Sequence, residues 1–217
     1  MSVGFDDFLP NILLEASDCP PEVAEQAVLT TLRDFCKKTR IWQETLDPET
    51  LLANIAEYDL TYDDEGLSKV AIVEARLNGI EIPVLSEKQM SKSIKGWRQD
   101  VGEQPICVID LSGDRYRVYP TPNIKLANVL ELDVALKPSS DGAVVGDIVL
   151  EDYSEAIECG ALFRLQKMTN KEWSNPQNAQ ANHIIYRRGR NNAQNRVAKD
   201  FADVSIQLKP RKLSGSV

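Results

Sequence analysis

Pro20-Pro21-Glu22-Val23-Ala24-Glu25-Gln26-Ala27-Val28-Leu29-Thr30-Thr31-Leu32-Arg33-Asp34-Phe35-Cys36-Lys37-Lys38-Thr39-Arg40-Ile41-Trp42 is the stretch that decides the fold. Its two prolines suit a first helical turn, where φ is already near the proline value and the missing N–H would be unpaired anyway. Asp18 is placed to cap this helix, and Glu22 and Glu25 bring negative charge to its start. Ala24, Ala27, Val28, Thr31, Phe35, Thr39 and Trp42 recur at steps of three and four, so they share one face. Arg33, Lys37 and Arg40 fall on the other side. The pattern predicts a helix to about residue 44, ahead of the break at Asp47-Pro48. Such a face needs cover, and long helical patterning returns only after residue 148.

What lies between reads as β. Residues 54–62 and 67–77 are strand-like, the second rich in Val and Ile. Asn78-Gly79 follows, and a type I′ hairpin turn wants that pair because both central residues need φ > 0. Residues 80–85 return as a strand that Pro83 confines to an edge. Ser86 and Gln89 have capping-box spacing and open a short helix towards Trp97. Residues 105–111, 115–119 and 128–137 are three more strands, the first two joined at Ser112-Gly113-Asp114. Helical spacing resumes at Tyr153, Ala156, Ile157, Gly160, Ala161, Leu165 and Met168, where Gly160 and Ala161 leave room for a close neighbour. Trp173-Ser174-Asn175-Pro176 breaks that helix, and Asn175 can cap a last one over 177–204.

The pattern predicts an α+β fold, a discontinuous helical bundle with an inserted, mainly antiparallel β subdomain. Residues 1–48 and 146–206 form the bundle, residues 50–140 the insert, and residues 207–217 an extended C-terminal tail.

A chain of 217 residues buries roughly 70% of its unfolded surface and needs no staple. The four cysteines (Cys19, Cys36, Cys107, Cys159) form no C-x-x-C pair and read as reduced core thiols. No stretch approaches the ~20 apolar residues of a membrane span, and residues 1–10 lack the basic start of a secretory signal. The net charge of −8 is unevenly spread: residues 176–217 carry eight basic and two acidic residues. The acidic remainder repels phosphate, which argues against a duplex-binding domain.

Catalytic signatures are missing. There is no G-x-S-x-G elbow, Walker loop or dinucleotide fingerprint. The single histidine, His183, sits on an apolar stripe between Ala179 and Tyr186 and reads as packed or interfacial. Asp59, Asp63, Asp64 and Glu65 match no calcium loop, and Glu151, Glu155 and Glu158 lack the Glu-x-x-His of di-metal bundles. We expect no catalytic residue, no metal and no cofactor. Arg188, Arg196 and Lys199 run along one side of the last helix, with Arg187 and Arg190 close by. No stacking aromatics are interleaved with them, so contact with a protein partner or a neighbouring subunit outranks base reading.

The run Phe8-Leu9-Pro10-Asn11-Ile12-Leu13-Leu14-Glu15, then Cys19-Pro20, Ala24, Ala27 and Phe35-Cys36-Lys37-Lys38-Thr39-Arg40-Ile41-Trp42, resembles the opening of the head-to-tail adaptor (connector) proteins of short-tailed bacteriophages, of the tail tubular protein A kind. Tyr153 through Gly160-Ala161-Leu162, with Trp173-Ser174-Asn175-Pro176, resembles their C-terminal helical pair, and the strand Leu132–Pro138 would end an inserted β domain. The resemblance implies a viral structural protein of the virion neck, assembled in the host cytoplasm. It would form a homo-oligomeric ring, commonly a dodecamer, between the portal protein and the tail nozzle protein. Genome DNA would pass through the channel without specific contact and slide past a like-charged lining. It further implies a C-terminal segment seated on the portal, with Lys209, Arg211 and Lys212 at the matching positions. The β subdomain would reach the next ring or a tail component along the edge marked by Pro83. Another neck or tail-completion protein, or a small metal-dependent hydrolase using the Asp59–Glu65 loop, are the alternatives.

Overall fold

The structure, a computed structural model, describes residues 4, 7–142 and 144–201. Four helices form one side of the molecule: α1 (Leu9–Glu15), α2 (Pro21–Thr39), α4 (Asp147–Gln166) and α5 (Pro176–Ala198). Strands β1 (Gln43–Thr45), β2 (Glu49–Leu51), β3 (Glu57–Asp59), β4 (Leu67–Leu77), β5 (Ile80–Ile82) and β6 (Val84–Ser86) precede a short helix, α3 (Glu87–Ser93). Then follow β7 (Val101–Gly102), β8 (Cys107–Asp110), β9 (Arg115–Tyr119), β10 (Thr121–Pro122) and the long β11 (Leu126–Pro138). The protein is an α+β fold.

The helices from the two ends of the chain meet at one residue. A Cβ on Gly160 of α4 would lie 2.5 Å from Thr31 Cγ2 of α2 and 2.7 Å from Tyr186 Cδ2 of α5. One Cβ on Gly189 would lie 2.4 Å from Ala156 Cβ, so α4 and α5 touch along small residues. Polar bonds lock the contact: Tyr186 Oη donates to Asp34 Oδ2 at 2.7 Å, and Arg164 Nε donates to Thr31 Oγ1 at 3.0 Å. The wholly buried Val28, Leu32, Phe35, Ile157 and Leu165 fill the space around them.

α2 ends earlier than its apolar spacing predicts. Arg40 takes left-handed φ of 54° and closes the helix at Thr39 with its N–H on the Cys36 carbonyl at 2.8 Å. Residues 43–45 then form β1, antiparallel to β11. Trp42 therefore belongs to the sheet side: its carbonyl accepts from Leu136 N, and its ring lies against Gly146, where a Cβ would meet it at 2.7 Å. Asp18 does not cap α2. Pro20 occupies the N-cap position without a side-chain bond, and the proline pair sets the helix start by backbone geometry alone.

The larger sheet has the order β1-β11-β4-β5, with β2 also paired to β11. The β4–β5 hairpin turns at Asn78 and Gly79, with φ of 52° and 75°. Pro83 divides the stretch predicted as one edge strand. β5 ends the larger sheet, while β6 runs parallel to β8 at the edge of a second sheet, β3-β9-β8-β6. Of residues 54–62 only Glu57–Asp59 is a strand, because Asn54 turns at φ 62° and the Tyr58 hydroxyl ties Leu52 and Ile55 into a loop. The Ser86–Gln89 capping box is present, as is the Asn175 cap, whose Oδ1 accepts from Asn178 N at 3.2 Å.

Lys69 joins the two sheets. Its side chain is 4% exposed, and its ammonium donates to Asp110 and to the carbonyls of Leu111 and Arg115. Asp110 also accepts from Ile72 N, and Asp114 from Lys69 N and the Tyr62 hydroxyl. A second small core of Met90, Trp97, Cys107, Ile109, Leu111 and Tyr119 lies beneath α3.

Two substitutions test this frame by chemical denaturation. Gly160→Val is expected to lower unfolding free energy by about 2–3 kcal/mol through overpacking between Thr31 and Tyr186. Lys69→Ala, which strands the half-buried Asp110 carboxylate and two carbonyls, should cost about 3 kcal/mol. An unchanged denaturation midpoint in either variant contradicts the role assigned here.

Candidate functional site

α5 is held along a narrow stripe. Ala179, Asn182, Tyr186 and Ala193 are its buried residues, spaced to keep one face inward. Asn182 Nδ2 donates to Gln166 Oε1 at 3.0 Å, and Gln194 Nε2 donates to the Lys38 carbonyl at 3.0 Å. The opposite face is left open, with Arg187, Arg188, Asn191, Asn192 and Asn195 exposed and Ile184 half exposed among them.

The three basic residues singled out on this helix share one flank. Arg196 and Lys199 line a groove of about 580 Å³ between α4 and α5, with Asp152, Tyr153, Asn192, Asn195 and Phe201. Arg188 lines the adjoining hollow towards Asp152, Glu155 and Asn192. Their situations differ. Arg196 is paired with Asp152 and stands 5.9 Å over the Phe201 ring, and hydrogen bonds with Asp152 and Tyr153 raise its pKa further. Both members of that ion pair are over two-fifths exposed, so it adds at most about 1 kcal/mol. Arg188 and Lys199 have no side-chain partner among the described residues. Lys209, Arg211 and Lys212 lie outside the described residues.

His183 faces α4, with its ring stacked on Phe163 at 4.4 Å and 16° between planes. Burial first, and then the charges of Arg187, Arg190 and Lys167, hold its imidazole below the ordinary value. Glu158 is bonded to Asn11 of α1 at 2.9 Å, while Asp63, Asp64 and Glu65 form an exposed turn. Among the described residues, no group of His, Cys, Asp or Glu side chains is arranged to hold a metal ion. Among them, no helix is long and apolar enough to cross a membrane.

A second cationic site was not evident in the sequence. Arg33 and Lys37 of α2, Lys137 of β11 and Arg164 of α4 converge on a hollow of about 540 Å³. The i, i+4 spacing of Arg33 and Lys37 was legible. Lys137 and Arg164 lie a hundred residues or more along the chain from Arg33 and Lys37, and only the fold brings them there.

No protein-family model matches the sequence, and no curated protein matches it.

His183 gives a pH test. Its folded pKa is lowered, so the unfolded chain takes up a proton near pH 6.5 that the folded chain resists. Stability is then unaffected above about pH 7.5 and falls as pH drops through the unfolded value. Asp34 does not blur this window: burial raises its pKa, but hydrogen bonds from Lys38 and Tyr186 outweigh that and keep it below the usual carboxylate value. Thermal melts of His183→Phe, which keeps the ring stack, should lose part of the wild-type decline between pH 7.5 and 5. Parallel curves for the two proteins contradict the assignment.

Proposed function

We propose that this protein is a structural head-to-tail adaptor of a short-tailed bacteriophage. It forms a ring between the portal protein and the tail nozzle protein, and genome DNA passes through the ring. The observation that carries the reading is the seating of α5. Contact at Gly160 and Gly189 fixes that helix by one stripe and leaves its long Arg188–Lys199 flank uncovered. A flank meant only for water would be polar throughout, whereas this face carries Ile184, 52% exposed, among Arg187, Arg188, Asn191 and Asn192. A helix with one seated and one open face is instead suited to a neighbour.

The protein's work in this reading is assembly without turnover. Identical copies repeat one contact head to tail, and a rotation that closes gives a ring. The excess of carboxylates over the first 175 residues suits a channel along which a polyanion slides. Pro83, at the joint between the edge strands β5 and β6, leaves the β part of the molecule free to meet the next component. Lys209, Arg211 and Lys212 are the residues proposed to engage the portal.

Electron microscopy of the purified protein, alone and mixed with the portal of the same phage, tests this reading. Rings coaxial with the portal are expected, and a chain ending at residue 206 should keep its ring and lose the portal. A protein that stays monomeric in both samples is not an adaptor of this kind.

A further inference from the structure

The hollow between α2, α4 and the larger sheet gathers Arg33, Lys37, Lys137 and Arg164 around a single carboxylate, Asp34. Arg33 and Lys37 make no side-chain hydrogen bond or ion pair among the described residues. Lys137 donates one bond, to the Lys69 carbonyl at 3.2 Å, and Arg164 spends only its Nε, on Thr31. The one carboxylate in the lining, Asp34, is already bonded to Lys38 and to Tyr186. Lys69 also lines the hollow, but its ammonium is turned to Asp110. Burial, with the charges of Arg33 and Lys37, lowers the Lys137 pKa despite the opposing pull of Asp114. Four cations therefore converge under-partnered, Arg33, Lys137 and Arg164 half-buried and Lys37 exposed, in a chain of net charge −8.

An anion relieves that crowding, and the lining narrows its class. No aromatic side chain is present to stack a base. The wall is made of helix sides and strands rather than the helix start or glycine loop that cradles phosphate with backbone amides. Lysine and arginine side chains bind carboxylate and phosphate alike, and carboxylates are the anions this chain itself supplies.

A matching set of carboxylates lies on the other flank of the same bundle. Glu151, Glu155 and Glu158 share one face of α4, and Glu15 of α1 lies near them. Together with burial, the charges of Glu155, Glu15 and Glu158 push the neighbouring Cys159 thiol up to about 11. Glu155 and Arg164 are nine residues apart on one helix, which at about 3.6 residues per turn is two and a half turns. They point to opposite flanks, so one copy offers carboxylates on one side and cations on the other.

We infer that the Arg33–Lys37–Lys137–Arg164 hollow receives the Glu151–Glu155 flank of the next copy, making the repeated contact of the ring. The inference rests on the ring reading above and supplies its contact. A head-to-tail interface needs two different, complementary surfaces on each subunit, and these are such a pair.

Carbodiimide coupling of the full-length protein, mixed from unlabelled and ¹⁵N-labelled copies, tests the contact while mass photometry reads the oligomer. Amide links between Lys37 or Lys137 of one copy and Glu151 or Glu155 of another are expected. Arg33→Glu and Glu155→Arg should each weaken association by about tenfold or more, and an equimolar mixture of the two should recover it, since their reversed charges match. Where Arg33→Glu melts below wild type, Lys37→Glu carries the same test. Rings that form with the links elsewhere, or that tolerate both reversals, overturn this contact and leave the ring reading standing. Wild type that stays monomeric with and without portal defeats both. Inorganic phosphate or duplex DNA that binds wild type and not Arg33→Glu, with assembly unchanged, overturns the contact in favour of a phosphate ligand.

Discussion

The whole arrangement turns on a missing methyl group. At Gly160 three helices come within van der Waals reach, and a side chain there would occupy space that Thr31 and Tyr186 already fill. Near it in sequence α2 finds only the seven-residue α1 to pack against, because the sheet region follows at once. Its partners are α4 and α5, and the loop that brings them back spans more than a hundred residues. Closing so long a loop costs entropy that only close packing over a wide area offsets. Gly160, Gly189 and Ala156 let the helices approach closely enough for that. The approach also brings the Tyr186 hydroxyl to Asp34, adding a hydrogen bond across the contact.

The sheets depend on a polar analogue of this contact. β11 runs through the larger sheet as its central strand, and the α2 helix packs on it through residues such as Val134 and Leu136. The smaller sheet shares an apolar core with the larger, where Val108, Tyr116 and Val118 cluster with Ile72 and Ala75. Asp110 accepts from Ile72 N of β4, and Lys69 adds a buried ammonium to these ties. Its ammonium satisfies a carboxylate and two carbonyls that would otherwise be stranded between the layers. An apolar side chain could fill that space but could not serve three acceptors of the other sheet at once. The bundle is thus set by small residues, and the sheet pair by a shared apolar core reinforced by a buried cation.

These two devices were not equally legible. Gly160 showed in the sequence because a glycine on an apolar helical stripe has few other uses, and local signals such as Asn78-Gly79, Ser86 with Gln89, and Asn175 before Pro176 each carry their cause within four residues. The end of α2 did not show: Trp42 continues the helical period by coincidence, while its real partners, Leu136 and Gly146, lie a hundred residues on. Pro83 was read correctly as excluding a central strand, yet nothing local says that the two halves join different sheets. Lys69 looks like any lysine in an alternating strand. Among the interaction residues, the flank of Arg188, Arg196 and Lys199 follows from helical spacing, but the pairing of Arg196 with Asp152 requires knowing that α4 lies alongside. The hollow around Lys137 draws on three elements, so no window of sequence contains it.

In the proposed ring, an acidic subunit that meets its own copies faces a conflict that distance resolves. Net charges of like sign repel through solvent, but at physiological salt that repulsion fades over about 8 Å. Charges brought into contact are screened far less, and half-buried ones least of all. A subunit can therefore keep a repelling surface at long range and an attracting one at contact, provided the attracting groups are few, recessed and matched. In that proposal the hollow between α2 and α4 supplies the few cations, with Arg33, Lys137 and Arg164 half-buried beside the exposed Lys37, in a chain of eight net negative charges. The proposed match is the Glu151–Glu155 flank on the far side of the same helix. Subunits so built stay apart when misaligned and hold when aligned, because only the aligned pose brings cation and carboxylate within contact range.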